Sequence, residues 1–321
     1  MRFLGNVLAT VIGIFVFMML SFFGIILIGV IFGGDSETVE VENNSVIELN
    51  LSDISDDYAG KYSDPWVTAF SERKKIGLTD VINAIEIAET DDAIKGISIL
   101  NTNSSLGMAQ SKELRDALNR FKKSGKFIYS YANSYSQKEY YLNSVATSIY
   151  INPIGELDFK GLSTEVMFFK DFQEKSGLKM EVIRHGKYKS AVEPFLENKM
   201  SDANKEQTMA LLNGIWTNIV EDISKSRNIP VEKLNTIANG LLARTPEMAK
   251  AQNLIDYIAY EDVYHNAIRK VLKVDKDEDY NTVSIADYTQ KTTTTSVNMD
   301  SNDAIAIVYA QGEIGSGEGD V

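Results

Sequence analysis

From position 7 to position 32 the chain carries no charged side chain and is apolar at almost every position. At about 1.5 Å rise per residue, a helix of this length crosses roughly 30 Å of hydrocarbon. A cleaved signal peptide has an apolar region of only about 7–15 residues, followed by a small-x-small site. Here the run is longer and ends Phe32-Gly33-Gly34-Asp35, with no Ala-x-Ala pattern. An uncleaved anchor is therefore expected rather than a cleaved signal, with the lipid bilayer as its partner. Arg2 precedes the run, while Asp35, Glu37, Glu40 and Glu42 follow it. The positive-inside rule counts the Arg, so the N-terminus is expected in the cytoplasm and the bulk of the chain on the extracytoplasmic side. Gly29 and Gly33 form a Gly-x-x-x-Gly, which permits helix dimerisation but is a weak signal in one apolar run.

The rest of the chain excludes several kinds of chemistry. Among 321 residues, 45 are Asp or Glu and 32 are Lys or Arg, for a net charge of −13. Phosphate binding needs clustered cations, so no broad nucleic-acid surface is expected. There is no Cys, which removes disulfides, thiol nucleophiles and Cys-based metal sites. His185 and His265 are the only histidines and leave little room for a His-rich metal centre. A Ser-His-Asp triad would have to use one of them. His185 reads as a structural residue at a strand end, and no Ser or carboxylate pattern singles out His265.

After a polar tether over 35–44, short apolar runs alternate with helical patterns. Strands are expected at 45–51, 94–100, 126–132, 148–151 and 178–185. Helices are expected at 78–89, 112–124, 136–147 and 164–176, several of them ending at a glycine. Such alternation predicts an α/β domain with a parallel sheet and crossover helices. From position 201 the pattern turns helical: 202–227 is one long amphipathic segment, followed by candidates at 231–238, 246–253 and 262–274, then a Thr-rich linker from 290. An apolar strand at 304–310 runs into a Gly-rich stretch and echoes the strand at 45–51. It reads as the opening of a second copy of the same unit. A closing edge strand of the first domain remains the alternative. Gly315-Ser316-Gly317-Glu318-Gly319 lacks the spacing of a dinucleotide fingerprint, and no helix follows it. The tyrosines over 129–141 read as core rather than as a ligand platform.

The segment with chemical promise is Arg184-His185-Gly186-Lys187-Tyr188-Lys189-Ser190-Ala191-Val192-Glu193-Pro194-Phe195. It lies beyond an expected buried strand, where α/β sheets place their sites. A surface Lys is ordinarily solvated and idle. Desolvation disfavours its charged form, and a neutral amine can activate a Ser hydroxyl. Ser190 is a poor partner for Lys189, because neighbours on a strand point to opposite faces.

Tyr188-Lys189-Ser190-Ala191-Val192-Glu193-Pro194-Phe195 resembles a signature of the long, membrane-anchored type of signal peptide peptidase in peptidase family S49. Tyr140-Tyr141-Leu142, Asn152-Pro153 with Gly155, and Asp158 with Gly161 are similar to that family's first repeat. The resemblance implies a ClpP/crotonase-like α/β repeat and a serine peptidase with a Ser–Lys dyad. It further implies cleaved signal peptides as substrates, a homo-oligomer (a tetramer for the long type), an inner-membrane location and no cofactor or metal. Carried over by position, Lys189 matches the general base and Lys187 matches nothing catalytic. On this reading 1–34 is the anchor, 45–289 the first repeat, 290–303 a linker and 304–321 the start of a second repeat. In the family the nucleophilic Ser lies in that second repeat. The equivalent place in the first repeat holds Gln137, with Ser134 and Ser136 close by as expected turn and N-cap residues. The chain is therefore expected to carry the base without the nucleophile and to be inactive alone. A non-enzymatic membrane-tethered scaffold on the same fold is the rival reading.

Overall fold

The computed structural model describes residues 2–32, 40–55, 57–58, 76–100, 104–295 and 307–308. It divides into two units, Met1–Glu40 and Val41–Val321. The first is built on one helix, α1 (Arg2–Phe32). Its stretch Gly5–Leu27 is long and apolar enough to be a candidate membrane span, and a signal sequence has the same properties. Large apolar side chains from Phe3 to Leu27 are exposed along it.

The second unit is an α/β domain. Its sheet contains β1 (Ser45–Asn50), β2 (Ile94–Leu100), β3 (Phe127–Ala132), β4 (Ser148–Ile151), β5 (Tyr257–Ile258) and β6 (Thr282–Ser284), in the order β5-β4-β3-β2-β1-β6. Every neighbouring pair is parallel, so each connection must cross over the sheet. Helices α2 (Leu78–Ala88), α3 (Met108–Lys123) and α4 (Gln137–Asn143) make the first three crossovers. Val46, Tyr131 and Tyr150 form one core cluster with Tyr264, Ile268 and Leu272 of a later helix. Ile47 and Leu49, out of phase with Val46, are also fully buried, so both faces of the sheet are covered.

Polar residues inside the sheet are satisfied rather than avoided. Ser98 Oγ lies 2.6 Å from the Tyr264 hydroxyl. Ser130 Oγ donates to Asn143 Oδ1 at 2.7 Å and lies 2.8 Å from the Tyr135 hydroxyl. Each contact removes the penalty of an unpaired buried hydroxyl. Tyr131, Tyr135, Tyr140 and Tyr141 are all buried, as a core reading of the Tyr-rich stretch requires.

After β4 the chain turns through Asn152-Pro153-Ile154-Gly155. A Cβ at Gly155 would lie 2.0 Å from the carbonyl oxygen of Asn133. The loops after β3 and β4 approach so closely that no side chain fits between them.

Beyond Phe159 the chain leaves the sheet domain as an arm and rejoins it at Ile219; between those two positions only Glu193 and Asn204 are buried. The arm holds α5 (Lys170–Ser176), the short α6 (Glu193–Leu196) and the exposed first half of α7 (Asp202–Arg227). Phe159 and Trp216, where the arm departs and returns, pack with ring centroids 5.5 Å apart. Then follow α8 (Val231–Asn239), α9 (Pro246–Ala251), α10 (Glu261–Leu272) and α11 (Ile285–Thr295).

Three expectations need correction. The strand at 178–185 does not form: those residues lie on the arm, unpaired with the sheet, and Ile183 is fully exposed. Its apolar positions Leu178 and Met180 instead line a groove with Phe169, Phe172 and Phe195. The helix expected from 164 begins only at Lys170. Positions 290–295, expected as linker, continue α11. Tyr288, Thr289 and Thr292 are buried there, and Tyr288 donates to Asp91 at 3.0 Å, so tertiary packing overrides the poor helix propensity of Thr. The tether over 35–39, the polar stretch around Gly60, Asp64 and Pro65, and the strand at 304–310 apart from 307–308 lie outside the described residues.

Candidate active site

The loops after β3 and β4 meet at the C-terminal end of the sheet, where parallel sheets place ligands. Ser136 caps α4: its Oγ accepts from the Glu139 N–H at 3.3 Å, and Glu139 Oε2 accepts from the Ser136 N–H at 3.0 Å. Ser134 Oγ accepts from the Glu156 N–H at 3.3 Å, tying the two loops together. Both serines are thus turn and cap residues, as expected from their spacing.

Gln137 opens α4 and is held on three sides. Its Oε1 accepts from the N–H groups of Lys160 (3.0 Å) and Gly161 (2.8 Å), and its Nε2 donates to the Gly161 carbonyl (2.8 Å). Gly161 has φ +92°, the left-handed conformation that lets the two N–H groups converge on one oxygen. Gln137 therefore anchors the arm at its point of departure. It has no hydroxyl to offer as a nucleophile.

The other end of the arm is fixed by Arg115 of α3, the one buried cation among the described residues. Its guanidinium donates to the Tyr141 carbonyl, to Ser144 Oγ at 2.8 Å, to the Asp222 carbonyl at 2.9 Å and to Ser226 Oγ. It also lies 5.0 Å from the centre of the Tyr141 ring. One side chain thereby joins α3, α4 and α7. Burial lowers its pKa, opposed by the field of Tyr141 and Asp222.

Lys189 lies on the arm in an exposed turn, not at the mouth of the sheet. Among the described residues its amine makes no hydrogen bond or ion pair. Lys187, two positions earlier, is engaged: its Nζ donates to the Tyr188 hydroxyl at 3.1 Å and lies 3.4 Å from Glu206. The turn is followed by Glu193, whose residue surface is only 2% exposed. Its Oε2 accepts from the Ser201 N–H at 3.2 Å and from Asn204 Nδ2 at 2.6 Å. Hydrogen bonding from Ser201 first, then from Asn204, with the field of Arg184, holds this carboxyl below its ordinary range, although burial pushes the other way. Arg184, Gly186, Lys187, Ser190, Glu197 and Lys199 surround a polar cleft above it. Neither Glu193 nor Asn204 was singled out by sequence reasoning. The available signal was an N-cap Ser201 with no Glu or Gln three positions later.

Successive strand–helix units on one parallel sheet, with a cationic turn carried on an arm beyond it, define an α/β protein of the ClpP-like class. Residues 120–275 match the profile described as "Peptidase family S49", so the chain carries an S49 domain. It is 31% identical to "Protease 4" of Haemophilus influenzae over 304 residues, covering 89% of this chain and 49% of that protein. Identity to "Protease 4" of Salmonella typhi is 33% over 251 residues, covering 75% of this chain and 40% of that protein. "Serine protease SPPA, chloroplastic" of Arabidopsis thaliana is 30% identical over 274 residues, covering 85% of this chain and 39% of that protein. The chain thus spans half or less of the length of these relatives.

Proposed function

We propose that this chain is the base-bearing part of a membrane-anchored serine peptidase that uses a Ser–Lys dyad to degrade released signal peptides. The observation that carries the proposal is Lys189, an exposed amine unpaired among the described residues, in a segment whose sequence resembles the family signature. In the complete protein Lys189 takes the proton of a Ser hydroxyl as that oxygen attacks the peptide carbonyl, then returns a proton to the leaving amine. The Ser is expected from a second repeat that opens near 304. Backbone amides beside it are expected to stabilise the oxyanion. The amine must be neutral to act, so the exposed Lys189 has to be covered by a neighbouring repeat or protomer in the working enzyme.

The exposed apolar side chains Phe172, Leu178, Met180 and Ile183 favour a homo-oligomer, with a tetramer as the expected form. The candidate span Gly5–Leu27 favours a single-pass inner-membrane location with the remaining chain extracytoplasmic.

The test is Lys189→Ala in the full-length protein, followed by hydrolysis of an apolar peptide. Loss of turnover is expected, and unchanged turnover would rule the role out. Lys187→Ala is expected to be mild, because its partners are exposed.

Gln137 favours a second reading, an inert tethered scaffold. It holds the position equivalent to a nucleophile, and all three of its bonds go to backbone. Ser-dependent hydrolysis by the full-length protein excludes the scaffold, whereas hydrolysis by residues 35–321 alone would contradict a nucleophile in the second repeat.

A further inference from the structure

An arm that leaves its domain ordinarily needs an apolar core to hold one shape. In this one no apolar side chain is buried, the stacked rings of Phe169 and Phe195 being only partly covered: between Phe159 and Ile219 the buried residues are a carboxylate and a carboxamide, Glu193 and Asn204, bonded to each other at 2.6 Å. Buried polar pairs accept few alternative geometries, because an unmade bond leaves a costly orphan group. Lys189 lies four positions before Glu193 on the same arm.

The pair completes a helix start. Ser201 is the N-cap of α7, and its Oγ accepts from the Asn204 N–H at 3.2 Å. In a capping box, a Glu or Gln at the position of Asn204 reaches back to the N-cap N–H. Asn204 does not make that bond. Glu193 makes it from outside the helix, accepting from the Ser201 N–H at 3.2 Å. Its negative charge then sits at the positive end of a 26-residue helix.

The backbone of Glu193 faces the other way. Its N–H donates to the Ser190 carbonyl at 2.9 Å, closing a turn over 190–193 that follows directly on Lys189. Behind it, the Pro194 carbonyl accepts from the Phe169 N–H and the Phe195 carbonyl from Gln173 Nε2, both at 2.7 Å, tying the turn to α5.

Resting on the Ser–Lys reading above, we propose that Glu193 is a positioning residue for Lys189: by closing the N-terminus of α7 with its carboxylate, it holds the 190–193 turn, and with it the adjoining Lys189, in the arrangement that presents the amine. The carboxylate is engaged by Ser201 and Asn204, so it does not form an ion pair with Lys189.

The test compares Glu193→Ala, Glu193→Gln, Asn204→Ala and Lys189→Ala in the full-length protein, using a quenched-fluorescence apolar peptide. Glu193→Ala is expected to lower kcat on the order of 10- to 100-fold, the scale of a misplaced catalytic group, with KM changed less than about twofold. It is also expected to move the limb of the wild-type pH–kcat profile on which the catalytic base loses its proton. Glu193→Gln keeps an acceptor oxygen and should restore most of kcat; Asn204→Ala should shift the same limb, less far. Should Glu193→Ala fail to fold, the profiles of Asn204→Ala and Glu193→Gln decide. Wild-type kcat and pH profile in Glu193→Ala and Asn204→Ala would overturn the proposal, as would a Glu193→Gln protein as slow as Glu193→Ala. If Lys189→Ala keeps full activity, the dyad reading itself has failed. If Lys189→Ala is inactive while Glu193→Ala is not, only the positioning role has failed.

Discussion

The carboxylate of Glu193 and the carboxamide of Asn204, 2.6 Å apart, form the entire buried interior of the arm between Phe159 and Ile219. Eleven positions separate them in sequence, one on a short helix after the Lys189 turn and the other in the first turn of α7. The arm is therefore held at its buried point by an acceptor and a donor, beside the partly covered stack of Phe169 and Phe195.

That dependence has a pH signature. Hydrogen bonds from Ser201 and Asn204 hold the Glu193 carboxyl below its ordinary range. A carboxyl with a depressed folded pKa contributes stability that is complete above its unfolded pKa and is lost as pH falls through the lowered folded value. Amide protection at Ser201 and Asn204, measured against the intrinsic exchange rate at each pH, should thus be high at neutral pH and fall in acid, at a pH below the ordinary carboxylate range. In Glu193→Gln that acid step should vanish. A step that persists would assign it to another group.

Gln137→Ala removes three hydrogen bonds and leaves the N–H groups of Lys160 and Gly161 without their acceptor. The cost should be roughly 1–3 kcal/mol, the penalty of orphaned backbone donors. Chemical denaturation measures it, and amide exchange localises it to 160 and 161. Unaltered exchange there would contradict the anchoring role.

Arg115→Met strands the Tyr141 and Asp222 carbonyls and uncouples α7 from α4. Destabilisation on the order of 3 kcal/mol is expected, since several buried acceptors lose a charged donor. Arg115→Lys should rescue little, because a point ammonium cannot replace the forked guanidinium. Thermal melts of the three proteins decide between these outcomes.

Gly155→Ala inserts a methyl group 2.0 Å from the Asn133 carbonyl oxygen. Backbone cannot yield as a flexible side chain does, so a loss of about 1–3 kcal/mol or more is expected. A melting temperature equal to wild type would show that the loops after β3 and β4 separate easily.

Much of the sheet domain was legible before any coordinates. Strands β2 (Ile94–Leu100) and β4 (Ser148–Ile151) and helix α7 (Asp202–Arg227) fall at their expected bounds, because apolar period and flanking polar residues mark them locally. The two-residue β5 and three-residue β6 were missed, being too short to show a period. The segment 178–185 was misread because apolar alternation is the same whether it meets a sheet or a groove.

By itself, the amino-acid order determined the apolar N-terminal helix, the strand–helix alternation and the Lys189 signature, all of which are properties of neighbouring residues. Tertiary structure alone decided that Lys189 rides on an arm, that Gln137 and Arg115 fix that arm at its two ends, and that Glu193 closes a helix it does not belong to. The physical reason is that these bonds join residues from 8 to 111 positions apart, and several end on backbone atoms that every residue carries. Local periodicity holds no record of such partners.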